Sequence, residues 1–142
     1  MATRRPRPFV DTNIVFSGLY GSGAPAIILD RHNEGRLTVV VSRQVLSEAA
    51  DVMRRKQPRL LADLAAFLRD TPPDFAVDPT LEEVQAVAHC INWTDAPILA
   101  AAIKSGADCL VSGNTRHFTQ AAAACAGIPI LTPAAYVATL AL

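Results

Sequence analysis

Short apolar runs separated by segments of helical spacing constrain this chain more than any other feature. Phe9-Val10, Leu37-Thr38-Val39-Val40-Val41, Cys109-Leu110-Val111 and Ile128-Pro129-Ile130-Leu131 are each too short for anything but a strand. The run 37–41 is continuous and β-branched rather than alternating, as in a strand buried on both faces of a parallel sheet. Helices are expected over 24–33, stopped by Gly35, and over 43–56, capped by Ser42 and closed by Pro58. Further helices are expected over 59–69, over 80–90 with Asp78 as cap, over 95–105, from the Gly113-Asn114 turn to 126, and from Pro133 onward. Thr71-Pro72-Pro73 is a break, and Gly18, Gly21 and Gly23 predict a flexible loop. Pro129 places the last strand at the sheet edge or at a strand start. Strands alternating with helices predict an α/β fold, a three-layer α/β/α sandwich around a parallel sheet of four or five strands. Right-handed connections then bring the strand C-termini to one edge, where such sheets place their ligands.

Half of the 142 residues are hydrophobic (51%) and only 18% are charged, which excludes a disordered chain. The expectation is a single domain over 1–142, with 1–6 a flexible basic arm. Thirteen cationic side chains balance thirteen anionic ones, so net charge selects no partner. Basic residues do cluster, as Arg4, Arg5 and Arg7 and as Arg54, Arg55, Lys56 and Arg59. Both clusters read first as solvated surface, with phosphate contact the rival reading. Cys90, Cys109 and Cys125 lack the short paired spacing of a zinc site and are expected to be reduced core thiols of a cytoplasmic protein. No apolar run nears the roughly 20 residues of a membrane span, and the basic start has no apolar stretch behind it, so neither a membrane protein nor a signal peptide is expected.

Three carboxylates occupy unusual places. Asp11 ends the first strand; Glu48 borders the Val45, Ala49, Val52, Met53 stripe of its helix; Asp95 shares the inward face with Ile98, Leu99 and Ala102. Each has a plain explanation: Asp11 as a turn cap, Glu48 reaching solvent, Asp95 satisfied by free helix N–H groups. Together they say more, because neither Asp11 nor Asp95 has Lys or Arg close in sequence. Acids converging without cations repel unless a divalent ion binds, and hard oxygen donors suit Mg²⁺ or Mn²⁺. Ser112-Gly113-Asn114-Thr115 would add hydroxyls, an amide and N–H groups at the same rim.

Four segments resemble the PIN domain family, metal-dependent nucleases of the prokaryotic toxin–antitoxin type. They are Val10-Asp11-Thr12-Asn13, Val41-Ser42 with Glu48, Asp95 through Ala102, and Ala107 through Phe118. The resemblance implies catalytic and metal-binding roles for Asp11, Glu48 and Asp95, with Thr12, Asn13, Ser112 and Thr115 in support. Many relatives have Asp where this chain has Asn114, and others have Asp at His117; Asn92 and Thr94 stand where some carry extra acids. Three carboxylates suit one ion better than two. The implied activity is a Mg²⁺- or Mn²⁺-dependent endoribonuclease, with Asn114 supporting the shell and Arg116, His117 and Trp93 as RNA contacts. The implied partners are an RNA substrate, a small antitoxin protein and a second copy in a homodimer.

Rival readings are an RNA-binding module without turnover and a phosphotransfer protein with Asp11 as acceptor. The second predicts a helper lysine, and Lys104 lies on a helix. The glycine-rich 18–23 lacks the spacing of a nucleotide loop. Ser17 and Ser42 lack a nucleophile context. His32 and His89 read as surface or packing residues, and Trp93 reads more readily as a hydrophobic anchor than as a base-stacking platform.

Overall fold

A computed structural model describes residues 4–140. Five parallel strands are ordered β3-β2-β1-β4-β5: β1 Pro8–Val10, β2 Val40–Val41, β3 Asp74–Phe75, β4 Cys109–Val111 and β5 Ile130–Leu131. The central strands are wholly apolar because both their faces are covered: Phe9, Val10, Val40, Val41, Leu110 and Val111 are all inaccessible to solvent. Each such side chain contributes roughly 1.5–3 kcal/mol by leaving water. Helices α1 Thr12–Tyr20, α2 Gly23–Asn33, α3 Arg43–Lys56 and α4 Leu60–Asp70 link β1, β2 and β3. Helices α5 Leu81–Val87, α6 Ala96–Lys104 and α7 Gln120–Ala126 lie on the return path to β4 and β5, and α8 Pro133–Thr139 ends the described chain. The sequence moves one way across the sheet and then the other, so right-handed crossovers put α1–α4 on one face and α5–α7 on the opposite face. Packing of α1 on α2, α3 and α4, and of α5 on α6, agrees with this. Among the described residues no single helix is long and apolar enough to cross a membrane.

The expected helices over 43–56 and 95–105 form almost to the residue. Ser42 Oγ accepts the Val45 N–H at 3.2 Å, a cap worth about 1 kcal/mol. The edge position of β5 follows from Pro129, which has no N–H to give a ladder but whose carbonyl accepts Leu110 N–H.

Several expectations need correction. The glycine-rich stretch is mostly helix: α1 runs through Gly18 to Tyr20, and Gly21 ends it at φ 95°. Gly18 is a packing glycine, because a Cβ there would stand 2.5 Å from Leu29 Cδ1 on α2. The run 37–41 pairs only through Val40 and Val41, although Leu37 and Val39 are also buried. Strand β3 follows the proline break unannounced, since it is only two residues long, both are exposed, and Asp74 breaks any apolar run. Thr80, not Asp78, caps α5, through a reciprocal pair with Glu83. The segment expected to be helical from Gly113 is a run of turns until Thr119 caps α7.

The basic arm is docked over residues 4–7: Arg4 meets the Asp108 carboxylate at 3.3 Å, and the Pro6 carbonyl accepts Thr38 N–H. Its residues 1–3 lie outside the described residues. Cys90 and Cys125 form a disulfide, against the expectation of three reduced thiols, and only Cys109 is a free, buried thiol. Sequence spacing hides the pairing because 35 residues separate the partners. The cysteine argument for a reducing compartment falls with it. His32 is a packing residue, as expected: Nδ1 accepts Val39 N–H at 3.0 Å, and Nε2 donates to the Thr71 carbonyl at 2.7 Å.

Candidate active site

Strand β1 connects leftward to β2 and β4 connects rightward to β5, so the order reverses between β1 and β4. The segments that leave their C-terminal ends run to opposite sides there, which opens a crevice at the sheet edge. Asp11 follows β1, Ser112 follows β4, and the Ser112 hydroxyl donates to Asp11 Oδ2 across the crevice. Asp11 Oδ1 accepts the Ile14 N–H at 3.4 Å, so the capping role is real. It does not exhaust the residue. Asp11 is only 4% exposed, and burial raises its pKa, with Ser112 and the Ile14 and Asn13 N–H groups pulling it back and the Asp95 charge adding to the rise. Among the described residues no arginine or lysine is paired with it.

Glu48 does not reach out to solvent. Its Oε2 accepts the Thr12 hydroxyl at 2.9 Å, and its Oε1 accepts Gln44 Nε2 at 3.0 Å from one turn earlier on α3. Both partners are neutral, so the negative charge is oriented but not cancelled. Asp95 stands at the start of α6 without making the capping hydrogen bond expected of such an acid. Its Oδ2 is buried with no hydrogen-bond partner, although His117 Nδ1 lies 2.7 Å away. That contact is an ion pair when the imidazole is protonated, and it is the one partner this oxygen has among the described residues.

These three acids face one cleft of about 330 Å³, lined also by Thr12, Asn13, Asp51, Arg55 and Asn114, with Val52, Ile98 and Phe118 as apolar wall. The donor set fits a hard divalent cation. It consists of carboxylate oxygens, one of them buried without a hydrogen bond, and two of the acids repel each other. The fit has a limit. Among the described residues, no three acidic or imidazole groups of this cleft bring donor atoms all within 4.8 Å of one another. Ligands on one Mg²⁺ stand at most about 4.2 Å apart, so Asp11, Glu48 and Asp95 cannot all touch a single ion in this arrangement, and one must act through water.

The sequence-derived site is thus brought together in its main part. Asp11, Thr12, Asn13, Glu48, Asp95 and Asn114 share the cleft, and Ser112 supports both Asp11 and the Asn114 N–H. Thr115 instead lines a separate cavity beside α7, and Arg116 is exposed outside the cleft lining. Trp93 is 78% exposed, which corrects its reading as a hydrophobic anchor. Asp51 and Arg55 were not singled out for the site. They follow Glu48 by three and seven residues on α3, so helical periodicity alone places all three on one face. Lys104 is held by Glu83 at 2.7 Å, where it lowers the Glu83 pKa to about 2. Lys104 also lies outside the cleft lining, so it does not serve as the helper lysine of the phosphotransfer reading.

The chain is thus a parallel α/β protein with an acid-lined cleft at the switch point of its sheet. The profile of the PIN domain family matches residues 7–116, and the chain belongs to that family, whose members are generally nucleases and typically use divalent metals. Such a domain implies a nucleic-acid substrate. The fold is similar to the crystal structure of PAE2754 from Pyrobaculum aerophilum, with a TM-score of 0.55 at 23% identity over 89% of this chain and 83% of that one. No curated protein is significantly similar in sequence.

Proposed function

We propose that this protein is a Mg²⁺- or Mn²⁺-dependent endoribonuclease. The observation that carries the reading is the meeting of Asp11, Glu48 and Asp95 in one cleft with no cation paired to Asp11 or Glu48. Asp11 and Asp95 would hold the metal, and Asn114 would support the shell through its side-chain carbonyl. When bound, the metal neutralises charge on the phosphate and acidifies the attacking water. Glu48, fixed by Thr12 and Gln44, accepts or orients the water proton. Arg55 offers its guanidinium to the phosphate from the cleft wall. One ion fits this donor set better than two, since Asn114 stands where a fourth acid would add charge.

Hydrolysis of this kind does not use the 2′-hydroxyl, so the choice of RNA rests on strand shape and groups at the rim. Exposed Trp93, with Arg116 and His117, offers stacking and charge there. The resemblance extends the proposal to a cytoplasmic toxin with a small antitoxin and a homodimeric state. Exposed Phe75, Val77 and Leu81, on edge strand β3 and around the start of α5, give a protein partner an apolar face. The test is cleavage of labelled single-stranded RNA with Mg²⁺, Mn²⁺ or chelator, against Asp11→Asn and Asp95→Asn. Metal-dependent cleavage lost in both variants supports the enzyme. Intact RNA retarded on a gel favours a binding module, the outcome that Asn114 at the fourth position would explain.

A further inference from the structure

Away from the acid cleft, three donors of a different kind meet on the α5–α7 layer. Cys90 lies in the turn after α5, Cys125 lies in α7, and His89 precedes Cys90 with its Nε2 3.6 Å from the Cys90 sulfur. The two sulfurs and the imidazole nitrogen all lie within 4.8 Å of one another. None of these residues lines the cleft. His89 and Cys125 are exposed and Cys90 is half-buried, so the cluster is open to solvent. We propose that it is a second metal site that takes a borderline or soft cation, Zn²⁺ being the fitting example, whenever the Cys90–Cys125 disulfide is reduced.

The placement of the donors does not depend on the sulfur–sulfur bond alone. Cys90 N–H is bonded to the Val87 carbonyl at 2.9 Å, and α7 is closed by Gly127 N–H on the Ala123 carbonyl at 2.9 Å. With Cα atoms 5.5 Å apart, side-chain rotation can open the sulfurs to the roughly 3.8 Å that two thiolates adopt around a tetrahedral ion. Among the described residues the cluster holds no fourth acid, thiol or imidazole, so a fourth position belongs to solvent. Two thiolates and an imidazole select zinc over magnesium, whereas the oxygen-lined cleft has the opposite preference. One chain thus sorts two metals by donor softness, and the proposal holds whether or not the cleft is a nuclease.

The chemistry balances with a dithiol as reductant. It passes two electrons and two protons to the disulfide, which opens to two thiols, and leaves as its own cyclic disulfide. The cation then replaces the two thiol protons, forming two metal–sulfur bonds and one bond to the His89 nitrogen with no further electron transfer. Oxidation and metal loading are mutually exclusive, yet each links the turn before α6 to α7.

The test uses full-length protein, reduced with a dithiol, freed of reductant under anaerobic conditions and titrated with Co²⁺ as a spectroscopic probe. The expected result is one equivalent of Co²⁺ showing thiolate-to-cobalt charge-transfer absorption that Zn²⁺ bleaches. The band should be absent from the oxidised protein, from Cys90→Ser and from Cys125→Ser, and unchanged in Asp11→Asn. His89→Ala should weaken binding by at least about tenfold. A reduced wild-type protein without the band, a band that survives Cys125→Ser, or affinity indifferent to His89→Ala would each overturn the proposal. If a serine variant fails to fold, the oxidised-against-reduced comparison and exposed His89→Ala still decide the matter.

Discussion

The two edges of the sheet hold carboxylates of the same chemical type in opposite circumstances. At the N-terminal edge, Asp108 accepts the Arg7 N–H at 2.6 Å and pairs with Arg4, and Asp74 meets the Arg7 guanidinium at 3.1 Å. Arg7 also donates to the Ser105 carbonyl, so one arginine joins β1, β3 and the end of α6. At the C-terminal edge, Asp11 and Glu48 are held by hydroxyls, amides and N–H groups alone, and Asp95 Oδ2 makes no hydrogen bond and has only the His117 imidazole beside it. Paired acids fasten the sheet. Unpaired ones keep a negative potential whose cost the fold must carry, and that cost is the physical mark of a ligand site.

The sharpest way to break this contrast is Asp11→Asn. Activity on RNA should fall by about 10²–10³-fold, the scale of losing one electrostatic group at a reacting centre, and the metal-induced rise in melting temperature should vanish. Without metal the variant should melt no lower than the wild type at neutral pH, because a buried charge has been removed. A variant that melts lower and still cleaves would make Asp11 a structural cap only. Glu48→Gln is the next largest, with turnover reduced roughly 10–100-fold and a melting temperature close to the wild-type value. Unchanged turnover would remove Glu48 from the chemistry.

The opposite edge should respond in the opposite way. Arg7→Ala should cost about 1–2 kcal/mol in denaturant unfolding, since it loses bonds to Asp74 and to a backbone carbonyl, while RNA cleavage persists. A matched loss of activity would show that the edges are coupled. A pH series in chelator tests the Asp11 charge directly. Its folded pKa is raised, so the folded chain retains a proton that the unfolded chain has already lost, and stability falls as pH climbs from the ordinary carboxylate value through the raised one. Added Mn²⁺ should reverse that fall, and Asp11→Asn should flatten it, both read from melting curves. Arg4→Ala is the smallest change. Its bridge is exposed on both sides, and an effect above about 0.5 kcal/mol would mean that the arm is held more tightly than its contacts suggest.

Much of this was legible in the sequence, for identifiable reasons. Val10 running into Asp11 located a strand end, and the Val45–Ala49–Met53 stripe fixed the face of α3 that Glu48 borders. Such periodicities are local, and burial enforces them. Strand β3 escaped because exposed Asp74 and Phe75 owe their pairing to Val40 and Val41 rather than to their own composition. Gly18 read as a loop residue because its reason for being glycine, Leu29 on the next helix, appears only once α1 and α2 pack. Arg55 was read as part of a basic surface, though its spacing from Glu48 already placed it on the cleft face.

By itself, the order of strands and helices determined a parallel α/β sheet, and three acids at unusual places, two of them without cationic neighbours in sequence, determined a candidate metal site. Tertiary structure decided which acids would be quenched. Arginines distant in sequence reach Asp74 and Asp108 but not Asp11, and pairing at a distance follows from how the crossovers wind. It also decided that Cys90 and Cys125 meet, since a sequence separation of 35 leaves no periodic trace of a contact between a turn and a helix.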